Sequence, residues 1–585
     1  MALDHSGTPT GTSSDPSTLT GSKRLEAWKD AIKLGIKYRQ VYGRSKDWHM
    51  YKNMYRGYFK AGTVPVNIIY AVGRSLIPQL YFRNMRVSNI PLRPGYTMHA
   101  RILDRIDNWM IQEMGMKEEF KSMILDAYLC GTAPGILGYD SEYGFKSELA
   151  SSEIEGDGTL SSFAKSGEKI EYNFNVSPGM PWFLRCNPMD FVVPWGTRRF
   201  KEAQWFAFRK MRPLQDVLED PKYKNKTNIK GAFRLRLENS SNEGNVTIFE
   251  DAKSEWVELW EIHDQRTGLV SVLTMNHDKF LRDEFDELQI EGLPACVLGF
   301  NEDPDFFWWT PDARLISEQQ LEINDIRTMA KAHRRVALLK VMYDRSLKPE
   351  EVAKLMDGDP KVAVSVDIGA TGDIRKLVHL FQSHVPPDLA LAAREVREDV
   401  REIVGFSRNQ MGSFEDSSGR RTAHEAQIVQ QASMIRIDER RDIMADLLTD
   451  VTRKCNQQIF KHWDAERIVD IVGPDGARYW IRFTGKELRG EFMHKVQPEE
   501  ALPASQGTKR QDAQFLTDLA AKIPGMDAKY LIESLASTYD WIDPQLLFPG
   551  QGPGRSPEKA MQFHDFMRMG PRGSQNSQYP DLART

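Results

Sequence analysis

The chain has 585 residues, a formal charge of −4, and 41% hydrophobic and 27% charged residues. That length leaves room for three or four domain-sized cores, and the composition is that of a folded protein. The slight acidity and the lack of any long Lys/Arg run argue against a tight grip on nucleic acid, which normally leaves a strongly basic footprint, so any DNA contact is expected to be loose, local or transient.

Residues 1–22 are rich in Gly, Ser, Thr and Pro and read as a disordered arm. They contain no basic region followed by an apolar core, so they are not a signal peptide. From Lys23 to Met114 the pattern is helical. Trp28, Ile32 and Ile36 recur every fourth residue, and Ile102, Ile106, Trp109 and Met110 repeat the spacing. Within this block, Thr63–Phe82 is the most membrane-like stretch, but Arg74 sits at its centre and Pro78 interrupts it. An arginine at mid-bilayer costs roughly 2.5–3.5 kcal/mol on insertion scales, so the stretch reads as soluble core and no membrane is implied.

A helix over Lys117–Cys130 ends at Gly131, and the texture then changes. Short aromatic and β-branched runs at Gly135–Tyr143, Glu171–Pro194, Trp205–Met211, Glu255–His263 and Leu269–Met275 read as strands, with Glu148–Gly167 an exposed loop or hairpin tip between the first two. The fold class is α+β, with helices segregated from strands.

Three long helices follow. The first opens at Thr310-Pro311, a cap followed by proline at the first helical position, and runs without Gly or Pro to about Tyr343. At about 1.5 Å per residue it would be roughly 50 Å long. A short segment with a strand-like Lys361–Asp367 leads to the second helix, which starts after Pro386-Pro387 and stops near Gly405. Its apolar stripe is Leu389, Val396 and Ile403, one heptad apart, filled in by Ala392, Ala393 and Val400. The third begins at a capping box, Thr422-Ala-His-Glu425, and runs to about Trp463 with Met444, Leu447, Leu448, Val451, Cys455 and Ile459 on one face. Arg408–Arg421 between them is a polar, glycine-rich loop. Strands return at Arg478–Phe483 and Glu491–Val496, then a helical unit at about Thr508–Tyr539 and a Gly/Pro/Ser-rich tail after Gly550.

Sites of chemistry are not signalled. Cys130, Cys186, Cys296 and Cys455 lie far apart without a CxxC pair, the pattern of buried or free thiols in a reducing compartment and not of a zinc site or disulfide framework. There is no GxxxxGK[ST], GxGxxG or HExxH, so no cofactor, metal or catalytic residue is nominated and the chain is not expected to be an enzyme. Pro311-Asp312 reads as a helix start, Asp357-Gly-Asp-Pro as a turn, and His263-Asp264 and His277-Asp278 as turn residues beside strands. Phe306-Phe307-Trp308-Trp309 reads as an anchor for the following helix before it reads as a base-stacking platform.

Several stretches, in order, resemble phage portal proteins. VNIIYAVGRSLIPQLYFRNMR (66–86) is similar to an early helix ending in a YFRNP-like turn, with Met85 where proline is usual. CGTAPGILGYD (130–140) resembles the strand after the first helical block, and residues 181–220 the wing segment with its N/D-P-x-D-F turn. VELWEIHD (257–264) with residues 293–330 resembles the approach to the stem, and GSFEDSSGRRTAHEAQIVQQASMIRIDERRD (412–442) the tunnel loop and its helix. The match covers roughly Lys23 to Phe548.

The resemblance implies a portal-type elongated subunit with long stem and tunnel helices, a β-containing wing and clip, and a small helical crown. The implied parts are wing 23–309 and 422–500 (the latter with the tunnel helix), stem helices 310–343 and 386–406, clip 344–385, tunnel loop 407–421, crown 501–550 and flexible tail 551–585. It implies a ring homo-oligomer, usually a dodecamer, at one capsid vertex of a virion, assembled in the host cytoplasm. Expected partners are the terminase large subunit, a head–tail adaptor, major capsid and scaffold proteins, and non-specifically held double-stranded DNA in the channel. Leu389, Val396 and Ile403 would pack the stem, and Glu350, Glu351 and Asp357 in the clip would face docking partners. Arg408, Asn409, Gln410, Gly412, Glu415, Asp416, Gly419, Arg420 and Arg421 make up the tunnel loop. Its arginines either touch DNA phosphates or pair with Glu415, Asp416 or a neighbouring subunit. Two further readings stand beside this one: a phage nucleic-acid-processing enzyme, disfavoured by the missing motifs, and a capsid or scaffold protein, disfavoured by the long-helix, insert, long-helix order.

Overall fold

In chain order the helices of the computed structural model are α1 (Gly21–Val41), α2 (Ser45–Arg56), α3 (Ile68–Leu80), α4 (Thr97–Glu113), α5 (Met116–Cys130), α6 (Leu214–Glu219), α7 (Asp312–Leu315), α8 (Ser317–Val336), α9 (Asp388–Val404), α10 (Ala423–His462) and α11 (Phe563–Arg568). The described residues are 16–80, 86–93, 96–139, 149–154, 160–164, 169–170, 180–220, 222–229, 231, 233–234, 255–336, 340–343, 378–381, 388–405, 423–463, 467–472, 478–497 and 560–568. Two compact units divide the chain: residues 1–46, 76–311 and 434–585 form the first, and residues 47–75 and 312–433 the second. Helices are mixed with sheets that are antiparallel but for one short pairing, an α+β organisation.

The first unit is organised on one strand. β1 (Arg86–Pro91), β2 (Ala133–Tyr139), a small meander β3 (Leu149–Ile154), β4 (Leu160–Ala164) and β5 (Lys169–Ile170), then β6 (Pro181–Arg185), β7 (Phe191–Val192), β8 (Trp205–Pro213) and β9 (Phe233–Arg234) precede β10 (Glu255–Asp264); β11 (Leu269–Leu273), β12 (Arg282–Phe285) and β13 (Ala295–Leu298) follow it. β10 lies inside a six-stranded sheet ordered β12-β11-β10-β8-β7, with β9 also paired to it. Because side chains alternate along a strand, β10 feeds two cores. Trp260 and Ile262 lie under α1 with Leu25, Trp28, Ile32 and Trp205, while Val257 and Leu259 lie under α6 with Val217, Val272 and Leu281. The fourfold spacing of Trp28 and Ile32 is thus the buried stripe of α1, both fully enclosed.

β2, buried along nearly its whole length, is the middle strand of β13-β2-β6. Gly131 ends α5 at φ +85°, and a side chain there would collide with the Trp309 carbonyl. α10 carries its predicted face inward, with Met444, Leu448, Val451, Cys455 and Ile459 all buried. All four cysteines are buried and none is in a disulfide.

Several expectations are corrected. Residues 23–114 are not helical throughout: Arg86–Pro91 is a strand, paired antiparallel with β18 (Phe492–Gln497) from Arg86↔Gln497 to Pro91↔Phe492. Trp109, expected on the buried face of α4, is 42% exposed. β16 (Arg467–Val472) and β17 (Arg478–Phe483) form a hairpin, and within the expected flexible tail 551–585 the short strand β19 (Met561–Gln562) pairs parallel with β17 before α11. The interval from about 508 to 539 and the segment Lys361–Asp367 lie outside the described residues.

His263, expected in a turn, is an interior strand residue. Its ring stacks on Phe206 with centroids 4.9 Å apart and planes 5° from parallel. Nε2 meets Glu261 at 3.1 Å and Nδ1 meets Asp286 at 3.4 Å, while Lys210 Nζ reaches the other Glu261 oxygen at 2.8 Å. Burial alone would lower the histidine's pKa, but bonds to Asp286 and Glu261 and their negative charges outweigh it and hold the ring at about 9. Burial raises both carboxylates, and Lys210 and His263 more than reverse this at Glu261, as His263 does at Asp286. A histidine raised in the folded state contributes fully below its free value of about 6.5, and that contribution is lost as pH rises through about 9. The two lowered carboxylates act in the opposite sense, contributing above about 4 and losing it in acid. In urea unfolding, the stability advantage of wild type over His263→Gln should be largest at about pH 5–6, between the free carboxylate and free histidine values, and mostly gone by about pH 10; an advantage constant from about pH 6 to 10 would mean the buried ring is neutral.

Candidate functional site

The second unit contains the helices to which the sequence assigned assembly. α9 turns Val396, Val400 and Val404 inward, each 5% exposed or less, with Leu389, Ala392, Ala393 and Ile403 half-buried. Val396 shares a core with Ile323 and Ile326 of α8, flanked by Leu389, Ala392, Ala393, Val66 and Ile68. Of the sequence-predicted stripe, Val396 lies in this core with Leu389 packed against it, while Ile403 is half-buried and not part of it. The other face of α9 is charged, with Arg394 and Glu398 paired at 3.3 Å one turn apart, a surface contact worth a few tenths of a kcal/mol.

The expected single helix over 310–343 is corrected. It is broken at Ile316 into α7 and α8, and Ser317 donates its hydroxyl to the Arg314 carbonyl at the break. α8 ends at Val336, about 30 Å from its start at 1.5 Å per residue. The following Lys340–Tyr343 is a strand, β14, paired antiparallel with β15 (Val378–Phe381) from Lys340↔Phe381 to Tyr343↔Val378. Local helix propensity ran through residues whose state is decided by this partner, which arrives later in the chain. The pairing also brings the exit of α8 and the entry to α9 to one small sheet.

A feature the sequence reading missed fastens the chain segment 64–69 to α8. Gln320, Asn324 and Thr328 lie one turn apart, and their side chains accept from alternate backbone amides: Thr328 from Val64 at 2.9 Å, Asn324 from Val66 at 2.8 Å, and Gln320 from Ile68 at 2.7 Å. Gln320 also donates to the Val66 carbonyl at 2.8 Å and to Asn324 at 3.1 Å. The match is one of spacing: four helical residues rise about 6.0 Å, close to the span of two residues of non-helical chain, about 6.6 Å when fully extended. Gln320 and Asn324 are fully enclosed. Polar residues at i, i+4 and i+8 beside an apolar helical stripe were the available signal. Residues 47–75, assigned by resemblance to the same part as 23–309, cluster with 312–433.

Apolar side chains are left outward on these helices: Leu315 at 44%, Leu321 at 41%, Met329 at 46% and Leu391 at 58% exposure. The tunnel-loop residues Arg408, Asn409, Gln410, Gly412, Glu415, Asp416, Gly419, Arg420 and Arg421, and the clip residues Glu350, Glu351 and Asp357, lie outside the described residues. Phe306–Trp309 belongs to the first unit's core: Phe307 and Trp308 are buried, Phe306 stacks on Tyr42 at 4.3 Å, and Trp309 N donates to Thr132 at 3.0 Å. These rings anchor the fold and do not present a stacking platform. Asp312 opens α7, as a helix start. His277 is buried and its carbonyl accepts from Lys29 at 2.7 Å. Among the described residues no group of three or more His, Cys, Asp or Glu is arranged to hold a metal ion, and no helix is long and apolar enough to cross a membrane.

A scan against known protein families finds no match to this chain, and a search of curated proteins likewise finds none.

Truncating Asn324 to Ala strands the Val66 amide and one Gln320 donor in the interior. Such losses cost about 1–3 kcal/mol each, so the denaturant midpoint of Asn324→Ala should fall clearly. Leu391→Ser, on the outward face, should leave it within about 0.5 kcal/mol of wild type under conditions where the chain is monomeric. Equal effects from the two would show that the ladder is not what holds this segment.

Proposed function

We propose that the chain is the portal protein of a tailed bacteriophage: a ring at one capsid vertex that passes DNA inward during packaging and outward on ejection, and docks the terminase and later the tail adaptors. The observation that carries this reading is the order helix, paired-strand insert, helix, then a 40-residue helix, over α8, β14/β15, α9 and α10, in line with the portal-like segments of the sequence. At about 1.5 Å per residue α10 is roughly 60 Å long.

In this reading α8 and α9 are the stem, and the apolar residues left outward on them, Leu321, Met329 and Leu391, are covered by the neighbouring subunits of the ring. The clip is 344–385, which follows β14 and includes β15, and Glu350, Glu351 and Asp357 are its assigned docking residues. The tunnel loop 407–421 joins stem to α10, and its arginines steady DNA phosphates as they pass, without reading bases. Twelve copies at −4 each make a ring of about −48, net repulsive to DNA, so the duplex slides and does not stick. The ring itself does no chemistry; ATP is hydrolysed by the terminase.

Light scattering on the purified protein should report a particle near twelve times 67.1 kDa, and a stable monomer at micromolar concentration would contradict the ring. Charge reversal at Glu350, Glu351 and Asp357 should leave that mass unchanged while terminase or adaptor binding is lost; normal packaging and tail joining by such variants would move the docking surface elsewhere.

A further inference from the structure

Inside the first unit, where β13 runs beside α10, a thiol, an amine and a carboxylate share one enclosed spot. Lys454 Nζ donates to the Ala295 carbonyl at 2.7 Å, pairs with Asp450 Oδ2 at 2.9 Å and stands 3.5 Å from Cys296 Sγ. The Cys296 thiol in turn donates to Asp450 Oδ2 at 3.1 Å. Cys296 is 2% exposed and Lys454 6%. Asp450 and the Ala295 carbonyl already satisfy the lysine, so its contact with sulfur is an additional feature of the packing. Sulfur and nitrogen are at van der Waals contact, and a single bridging oxygen joins them once the flexible lysine stem closes part of that gap.

We propose that Cys296 and Lys454 form a reversible covalent nitrogen–oxygen–sulfur bridge when the protein meets dioxygen. One S–H bond and one N–H bond of the neutral thiol and amine break, together with the bond in dioxygen, and one S–O and one O–N bond form, the two hydrogens leaving in water. Sulfur and nitrogen each give up two electrons. Dioxygen takes all four, leaving one oxygen in the bridge and one in water. A lysine that starts as ammonium first yields a proton to solvent, since, against the effect of burial, Lys454 holds the Asp450 carboxyl below its ordinary range. A thiol reductant opens the bridge and restores both side chains. The bridge joins residues 158 apart in sequence and ties the β13-β2-β6 sheet to the C-terminal part of α10. Such a link restricts the unfolded chain as a disulfide would, so the oxidised protein melts at a higher temperature than the reduced one. It is independent of the portal reading, since it depends only on the first unit's interior.

The test is peptide mapping of the full-length protein held in air, held without oxygen, and held in air and then treated with dithiothreitol. Bridge formation adds one oxygen and removes two hydrogens, a gain of about 14 Da, carried by a linked pair of peptides containing Cys296 and Lys454. The expected result is that this pair forms in air, is absent without oxygen, is undone by dithiothreitol, and never forms in Cys296→Ser or Lys454→Arg. The melting midpoint should rise with the linked fraction in wild type alone. Three outcomes overturn the proposal: no linked pair in wild type, sulfinic or sulfonic acid on Cys296 without linkage, or a disulfide between Cys296 and the buried Cys455. Because wild type is decisive by itself, a poorly folding variant does not blunt the test.

Discussion

An extended stretch of backbone that lies against a helix has no strand on that side to take its amides, and an amide buried without a partner costs as much as a lost hydrogen bond. Both units solve this in one way. In the second, Gln320, Asn324 and Thr328 accept from Ile68, Val66 and Val64. In the first, α4 does the same for β1: Asp104 accepts from Asn89 and Asn108 from Val87, while Asn108 also donates to the Val87 carbonyl at 2.9 Å. Side chains four apart on the helix serve amides two apart on the facing chain, running in opposite directions. The spacing works because the two rises nearly coincide. It also sets the register of segment and helix, and so decides which face of α8 is left for α9.

The same rule governs the charges that the first unit encloses. Asp107 is fully buried, and Asn89 and Asn456 donate to one of its oxygens at 2.7 and 3.2 Å. Burial raises its pKa to about 7 in spite of these two bonds, and the neighbouring Asp104 adds to the rise. Glu261, with a lysine and a histidine beside it, is shifted the other way. The contrast lies in the partners: neutral amides do not compensate a carboxylate for leaving water as cations do. Such interior polar groups are expensive unless their geometry is met, and here they join β1 to α4 and α10 and link β10 to β8 and to Asp286 beyond β12.

Elements whose pattern is local were legible in the sequence. The stripes of α1, α9 and α10 are the buried ones, because a helix satisfies its own backbone and shows its core face at every turn. The strands around β8, β10 and β11 were legible from aromatic and β-branched runs. What escaped depends on distant partners. β1 is a strand because residues 492–497 lie beside it, β14 because 378–381 do, and β19 because β17 does. The ladder on α8 escaped because Gln, Asn and Thr in a helix look like solvated surface until the chain they bind is known. His263 looked like a turn residue because its two carboxylate partners, Glu261 and Asp286, meet it only in the folded sheet.

The portal reading places those exposed side chains of α8 and α9 between subunits and makes a channel of what encircles them. Electron-microscope images of the purified full-length protein test this most directly. The account predicts closed rings of about twelve subunits around an axial hole wide enough for duplex DNA. Solid particles, open filaments or closed shells in their place would contradict it.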